Sequence, residues 1–353
     1  MTKGKSKNSI HLLNSDENIL KILDLSNDYL EKHKEAIADK IEENVWVHRS
    51  LTDLVPETIE NFWSGHIFPL SEAEYELESS IEFCKLGFYK HAIAALRNVL
   101  ELGLLSVYWD IDGQSHIDIK KWLGSGEPTP FKRIVFAKLK TNRNIKKFND
   151  KHKIFEETAN LYEQLCNFTH TKGLYFSSRK LGNSNINTFN EKSLKKWLEF
   201  MTRVIKVVVA FHILKYPVGL QNTPIDDKFG LNGPIGGFLQ PFQAERIRKL
   251  LDKKISDALQ EISDNDPEAK SAAKWVNEKP DITEGEFLAQ IEAQDKHWIE
   301  MQGFTNWLKN EKNMYKYLQK KAPNEYTQKM EYFKKMRKWA KDSGFLQPKT
   351  KVD

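Results

Sequence analysis

The sequence predicts an all-α protein, in which a helical bundle is followed by a second helical region. Three observations support this class. Proline and glycine are sparse in the first two hundred residues, strict alternation of apolar and polar residues is rare, and apolar residues recur at intervals of three and four, which is the period of an α-helix. At 353 residues the chain is longer than one ordinary domain, so we expect two or three.

The predicted N-terminal extension, residues 1–70, contains one helix or a pair of helices. Its apolar residues follow a helical spacing from Ile19 to Ile41, and Ser15 or Asp16 precedes this run. Serine and aspartate side chains accept hydrogen bonds from the free N–H groups of a first helical turn. Either residue can therefore cap the first helix.

The predicted bundle, residues 71–218, opens with a helical hairpin. The tetrapeptide SEAE at 71–74 has the form of a capping box and indicates a helix that runs to about Leu86. Gly87 then breaks the chain, and a second helix begins at Phe88.

Further helices complete the bundle and the C-terminal region. An amphipathic helix ends near Gly173, and the apolar stretch 191–216, which Pro217 stops, is expected to be the central helix. Residues 219–242 are predicted to be a linker, because they hold five of the seventeen glycines and three of the twelve prolines. A basic helical region, residues 243–353, follows the linker.

The positive charge of the chain is concentrated in two stretches. The net charge is +5, but residues 132–153 and 305–353 each carry +8, which leaves −11 for the rest. A surface on which positive charge is concentrated in this way suits an anionic partner better than a surface with evenly spread charge. In the second stretch aromatic residues alternate with lysines; they can stack on unpaired bases or pack inside the protein, and both interpretations stay open.

The first basic stretch is interpreted as an exposed helix that contacts phosphates, with a solvated lysine-rich surface as the alternative. The cations expected to bind nucleic acid are Lys132, Arg133, Lys138, Lys140, Arg143, Lys146 and Lys147.

Two charged residues lie inside an apolar helix. Arg97 and Glu101 are four residues apart in AALRNVLE and share a face with apolar neighbours. We expect them to be at least half buried and paired, either as a structural ion pair or as part of a site. If the later helix persists to His170, this histidine also points inward, and Asn98 and Asn167 can add hydrogen-bond donors.

These segments resemble the HEPN superfamily of helical bundles. The resemblance covers roughly residues 70–216 and rests on GFYKHAIAALRNVLE, followed some seventy residues later by LCNFTHTKG. Active members of that superfamily are dimeric, metal-independent ribonucleases whose motif is an Arg, four to six intervening residues and then a His. No such pair occurs in this chain, so the resemblance implies that Arg97 supplies the arginine in space and that His170 is the family histidine.

The resemblance implies a protein that binds or cleaves RNA in a prokaryotic defence or toxin system. As an endoribonuclease it would be a homodimer, with His170 as general acid or base, Arg97 on the phosphoryl oxygens and a cluster completed by Asn98, Glu101 and Asn167. A partner protein of the same system is also expected. The alternative is a noncatalytic helical scaffold whose basic faces bind an acidic partner.

Several other classes of protein are not indicated. Two cysteines, Cys84 and Cys166, are too few for a disulfide framework or a cysteine zinc site, and no HExxH motif or phosphate-binding glycine loop occurs. The most apolar run, residues 204–216, is shorter than the roughly 20 residues of a membrane helix. We therefore expect a cytoplasmic protein with no metal, no cofactor and no membrane segment.

Overall fold

The computed structural model describes residues 16–55, 67–111, 116–182, 187–234 and 236–347. Within these ranges the regular secondary structure is helical, and none of these residues lies in a β-strand. The prediction of an all-α fold is therefore confirmed. The contacts divide the chain into two compact units, the first formed by Met1–Pro224 with Pro234–Glu278 and the second by Ile225–Gly233 with Lys279–Asp353.

The helices are numbered here in chain order through the described residues. Those of the first unit are α1 (Asp16–Lys32), α2 (Asp39–Leu54), α3 (Phe68–Lys85), α4 (Tyr89–Trp109), α5 (His116–Leu123), α6 (Lys132–Leu139), α7 (Arg143–His152), α8 (Ile154–Thr169), α9 (Ser178–Leu181), α10 (Glu191–Lys215), α12 (Pro241–Leu250), α13 (Lys253–Asn265) and α14 (Pro267–Asn277). Those of the second unit are α11 (Ile225–Phe229), α15 (Glu284–Gln302), α16 (Phe304–Lys321) and α17 (Pro323–Asp342).

Shorter helical turns connect these helices. A π-helical segment, Lys34–Ala38, joins α1 to α2. Three 3-10 turns follow at Leu174–Phe176, Pro217–Leu220 and Gly230–Asn232.

The core of the first unit is built on α4 and α10. Helix α4 packs against α3, α8 and α10, and α10 also packs against α2. Helix α10 is buried along nearly its whole length and ends where Pro217 begins a 3-10 turn, as its apolar sequence predicted. Helix α4 is long and apolar enough to cross a membrane by length and composition alone, but most of it is buried against neighbouring helices.

The N-terminal segment is not a separate extension. On α2, Val47, Leu51 and Leu54 have no exposed surface and belong to the main core. Their burial explains why the predicted boundary at residue 70 is wrong: the apolar face of α2 packs against α10 and α12, where it is removed from water.

Residues 219–242 do not form a linker as predicted. Thr223 and Leu239 are fully buried, and the Thr223 hydroxyl donates to the Leu239 carbonyl at 3.0 Å. Residues 225–233 belong to the second unit, while the residues on either side of them belong to the first. Glycine and proline favour turns, and in this segment the turns are packed into the two folded units. A linker prediction based on composition alone was therefore wrong.

One predicted helix boundary also differs. Helix α3 begins at Phe68, with Pro69 in its first turn, rather than at the SEAE capping box; proline is favoured in a first helical turn because its missing N–H is not needed there. In the helical region after residue 242, extended backbone at Leu251 and Asp252 separates α12 from α13.

The basic stretch forms two short helices instead of one. Helix α6 ends at Leu139, and the side chain of Asn142 then accepts hydrogen bonds from the N–H groups of Asn144 and Ile145, which caps α7. Asparagine is among the best N-cap residues because its side chain satisfies free N–H groups of the first turn. The chain therefore turns between the two helices, and each buries its own apolar face.

The second unit is a small helical assembly with its own core. Its buried residues are Ile299, Phe304, Trp307, Phe333, Met336 and Ala340. The tail aromatics take part in this packing: the Tyr315 ring lies 5.8 Å from the Phe333 ring, and the hydroxyl of Tyr332 donates to Asp295 at 2.7 Å. Most of these aromatic rings are thus engaged within the unit and are not free to stack on bases.

Candidate functional site

The charged pair of α4 is joined by a tyrosine from α8. One terminal nitrogen of Arg97 donates to Oε1 of Glu101 at 2.8 Å and to the hydroxyl of Tyr162 at 3.1 Å. The Tyr162 hydroxyl in turn donates to the same Glu101 oxygen at 2.7 Å. These three side chains, Arg97, Glu101 and Tyr162, form a closed triangle of hydrogen bonds between two helices. We call them the triad.

Helix geometry and burial explain this arrangement. Residues four apart lie on one face of a helix, so Arg97 and Glu101 both point from α4 towards α8. Their side chains keep 22% and 34% of their surface exposed, so the predicted partial burial is correct. Arg97 and Glu101 therefore contact solvent on one side and protein on the other.

Electrostatics hold the triad in one protonation state. Burial, together with the hydrogen bond to Glu101, raises the pKa of Tyr162 to about 12. Burial works against the charge of Arg97, but the hydrogen bond to Tyr162 and the charge of Glu101 outweigh it, so the pKa of Arg97 is raised. At neutral pH the triad therefore consists of a guanidinium, a neutral phenol and Glu101.

The triad forms one wall of an open cavity of about 270 Å³. Its lining residues are Arg97, Glu101, Leu104, Leu105, Thr129, Pro130, Phe131, Lys132, Val135, Phe136, Thr158 and Tyr162. The cavity thus combines an apolar wall from α4 and α6 with charged groups on one side.

The start of α6 supplies an aromatic ring and a cation. The Phe131 side chain is 75% exposed, and the Lys132 ammonium lies 4.7 Å from the centre of the Tyr162 ring, within cation–π distance. Nε of Arg97 is buried and has no hydrogen-bond partner among the described residues. A buried donor without a partner costs free energy.

His170 is not part of this cavity. Helix α8 ends at Thr169, and His170 is exposed, with its N–H donating to the carbonyl of Cys166. Eight residues separate it from Tyr162, or about 12 Å along a helix axis. The inward position was expected only if the helix persisted to His170; this condition is not met, because His170 is the C-cap of α8 and the chain turns out of the helix at Thr171, with φ 50°.

The remaining predicted members of the site lie outside the cavity lining. Asn98 follows Arg97 on α4, and Asn167 lies near the end of α8; both are half-buried. Asn98 points about 100° away from Arg97 around α4, and neither asparagine lines the cavity. The structure therefore brings together Arg97 and Glu101 of the predicted cluster, but not Asn98, Asn167 or His170.

Tyr162 was not predicted as a member of the site. It lies on the apolar stripe of the amphipathic helix that was expected to end near Gly173. The available signal was a hydroxyl-bearing residue on that inward stripe, since buried tyrosine hydroxyls usually have a hydrogen-bond partner.

The predicted phosphate-binding cations lie on α6 and α7, which we call the basic helix pair. Six of them are exposed, namely Lys132, Arg133, Lys140, Arg143, Lys146 and Lys147. Lys138 is half-buried over the Tyr108 ring, with 4.6 Å to its centre, and Arg143 lies 3.4 Å from Asp266. Most of the predicted cations are thus available to a ligand.

Comparisons with known proteins add no assignment. No family model, no curated protein and no solved structure matches this chain, so the likeness to the HEPN superfamily stays a prediction. In the part of the chain that the structure describes, no three potential metal-ligating side chains lie together.

Proposed function

We propose that the first unit binds single-stranded RNA. One nucleotide would enter the cavity beside Arg97 and Tyr162, and the adjoining backbone would lie on the basic helix pair. The observation that carries this proposal is the cavity itself, which has a guanidinium and a phenol in its wall and an exposed aromatic ring and a lysine at α6.

The size of the cavity favours part of a polymer over a free small molecule. Pockets that enclose a drug-sized ligand usually measure about 300–1,000 Å³, and this one is about 270 Å³ and open. A base can stack on an aromatic ring such as Phe131, an interaction worth about 1–3 kcal/mol per base. Phosphates on either side would find the lysines and arginines of α6 and α7.

Binding is better supported than cleavage. General acid–base catalysis requires a group whose pKa lies near the working pH within hydrogen-bond reach of the reacting atom. The described lining contains no histidine, and a tyrosine with a pKa of about 12 is rarely a phenolate at neutral pH. We therefore propose a binder, which the family resemblance would place in a prokaryotic defence or toxin system.

The proposal is tested by fluorescence anisotropy with a labelled 20-nucleotide single-stranded RNA, at several salt concentrations. Reversing three charges, in Lys132→Glu/Arg133→Glu/Lys146→Glu, should weaken binding at least tenfold. Affinity falls as salt rises, and each lost phosphate contact should make the slope of log affinity against log salt less steep by about 0.7. The matched control is Lys249→Glu/Lys270→Glu/Lys274→Glu, which makes the same charge change on exposed residues of α12 and α14 and should bind within twofold of the wild type.

Two outcomes would overturn the proposal. Equal binding by the triple variant and the wild type would show that the basic helix pair does not hold the RNA, and so would wild-type binding that does not depend on salt. The RNA is recovered afterwards and sized on a gel in the presence of a chelator. Intact RNA is expected. Cleavage that disappears in His170→Ala would show that the protein is an endoribonuclease and not only an RNA-binding protein.

A further inference from the structure

The second unit contains a groove of its own. Its volume is about 540 Å³, and α16, α17 and the chain after α17 form its walls. The groove is lined by Phe304, Thr305, Leu308, Tyr315, Met330, Phe333, Lys334, Arg337, Leu346 and Gln347. Six of the ten are large apolar or aromatic residues, so the groove has an apolar interior.

Two cations mark one side of this groove. Lys334 and Arg337 are three residues apart on α17 and therefore share a face; both side chains are exposed. Two other lysines of α17 are paired instead: Lys329 lies 3.4 Å from Glu311, and Lys335 pairs with Glu292. No described carboxylate forms an ion pair with Lys334 or Arg337, so the groove combines an apolar interior with uncompensated positive charge.

The wall opposite α17 is held in place by hydrogen bonds. The N–H of Phe304 donates to the carbonyl of Phe345 at 2.8 Å, and the hydroxyl of Thr305 donates to the carbonyl of Leu346 at 2.9 Å. These bonds attach the chain after α17 to the first turn of α16. The groove is therefore preformed and does not need a ligand to assemble its wall, which lowers the cost of binding.

We propose that this groove binds a fatty acid, with the acyl chain in the apolar interior and the carboxylate between Lys334 and Arg337. An acyl chain has the chemistry of the Phe, Leu and Met side chains that line the groove, and Met330 can adjust to it because its side chain is flexible. The carboxylate would supply the negative charge that the rim lacks.

Other occupants fit less well. The groove lies within the range of about 300–1,000 Å³ that is typical of sites for a single small ligand, which favours one acyl chain over the extended interface of a protein partner. The inference is independent of RNA binding, because it concerns the other unit.

The experiment is isothermal titration calorimetry of the full chain with dodecanoate, below its micelle concentration. Dodecyltrimethylammonium, with the same chain length and the opposite charge, is the matched probe and should bind at least tenfold more weakly. Lys334→Glu/Arg337→Glu should weaken dodecanoate binding at least tenfold. The control is Lys338→Glu/Lys341→Glu, which makes the same charge change on exposed residues of the same helix outside the groove and should bind like the wild type.

Several results would overturn the inference. These are no binding of dodecanoate, equal binding of the two probes, or equal losses in the test and control variants. Circular dichroism melting of both double variants checks that each is folded, and all four substituted residues are exposed, which makes folding of the variants expected. Binding of an acidic amphipathic peptide but not of dodecanoate would assign the groove to a protein partner instead.

Discussion

One carboxylate oxygen organises the triad. Oε1 of Glu101 accepts hydrogen bonds from both Arg97 and Tyr162, and hydrogen bonds that involve charged groups are roughly twice as strong as neutral ones. The residue therefore orients a cation and a phenol at the same time. After burial, the hydrogen bond to Glu101 is the largest cause of the raised pKa of Tyr162, which keeps the phenol protonated.

Glu101→Gln should lower the pKa of Tyr162 from about 12 towards the ordinary value of 10. A neutral amide no longer opposes the negative charge of the phenolate, while Arg97 still favours it. The measurement is an absorbance titration at high pH, in which the Tyr162 contribution is obtained by subtracting the curve of Tyr162→Phe. An unchanged midpoint would show that burial alone raises this pKa.

At the scale of helices, α4 and α10 come unusually close at one glycine. A Cβ atom built on Gly103 would lie 2.7 Å from both Cγ atoms of Val208, closer than van der Waals contact allows. The absence of a side chain at this position lets the two core helices pack directly against each other. Gly103 is therefore required by packing, although glycine is a poor helix former.

Gly103→Ala should destabilise the first unit by about 1–3 kcal/mol, the usual cost of overpacking a core, despite the helix propensity gained. Thermal unfolding followed by circular dichroism measures the change as a lower midpoint. In a Val208→Ala background, which removes both clashing atoms, the same substitution should cost much less. Equal costs in the two backgrounds would contradict the packing argument.

Among the described residues of the first unit, two buried histidines link the N-terminal segment to the core. His48 on α2 and His212 on α10 are both fully buried. Neither ring nitrogen of His48 has a described hydrogen-bond partner, while Nδ1 of His212 lies 2.8 Å from the carbonyl of Val208. Burial lowers the pKa of His48 to about 3, assisted by the charge of His212, and burial lowers that of His212 to about 4.

These pKa values predict that the first unit loses stability in mild acid. The unfolded chain binds protons at a pKa of about 6.5, whereas the folded protein resists them until about pH 4 for His212 and 3 for His48. The contribution of the neutral histidines is therefore complete above pH 6.5 and falls as the pH drops, by up to about 1.4 kcal/mol per pH unit for each histidine.

The acid dependence is measured by urea unfolding between pH 7 and pH 4.5. His48→Gln/His212→Gln should flatten the dependence of the unfolding free energy on pH, whatever it does to the absolute stability. Substituting the exposed His91 by glutamine is the control and should leave the dependence unchanged. The same slope in the double variant and the wild type would show that carboxylates, not these histidines, cause the loss.

Interactions that are local along the chain were predictable from the sequence. The helical class follows from the repeat of apolar residues, the end of α10 from Pro217, and the pairing of Arg97 with Glu101 from a spacing of four on one helix. Each of these depends on residues within one or two helical turns. The sequence alone was therefore sufficient to determine the all-α class and to place a partly buried ion pair in α4.

Only the tertiary structure decided which distant residues meet. Tyr162 joins the triad across 61 positions of sequence from Glu101, His170 is exposed because α8 ends one residue too early, and the second unit is assembled from two separated segments. The physical reason is that contacts between helices depend on how their apolar faces pack in three dimensions, and the periodicity of a single helix carries no information about its partner.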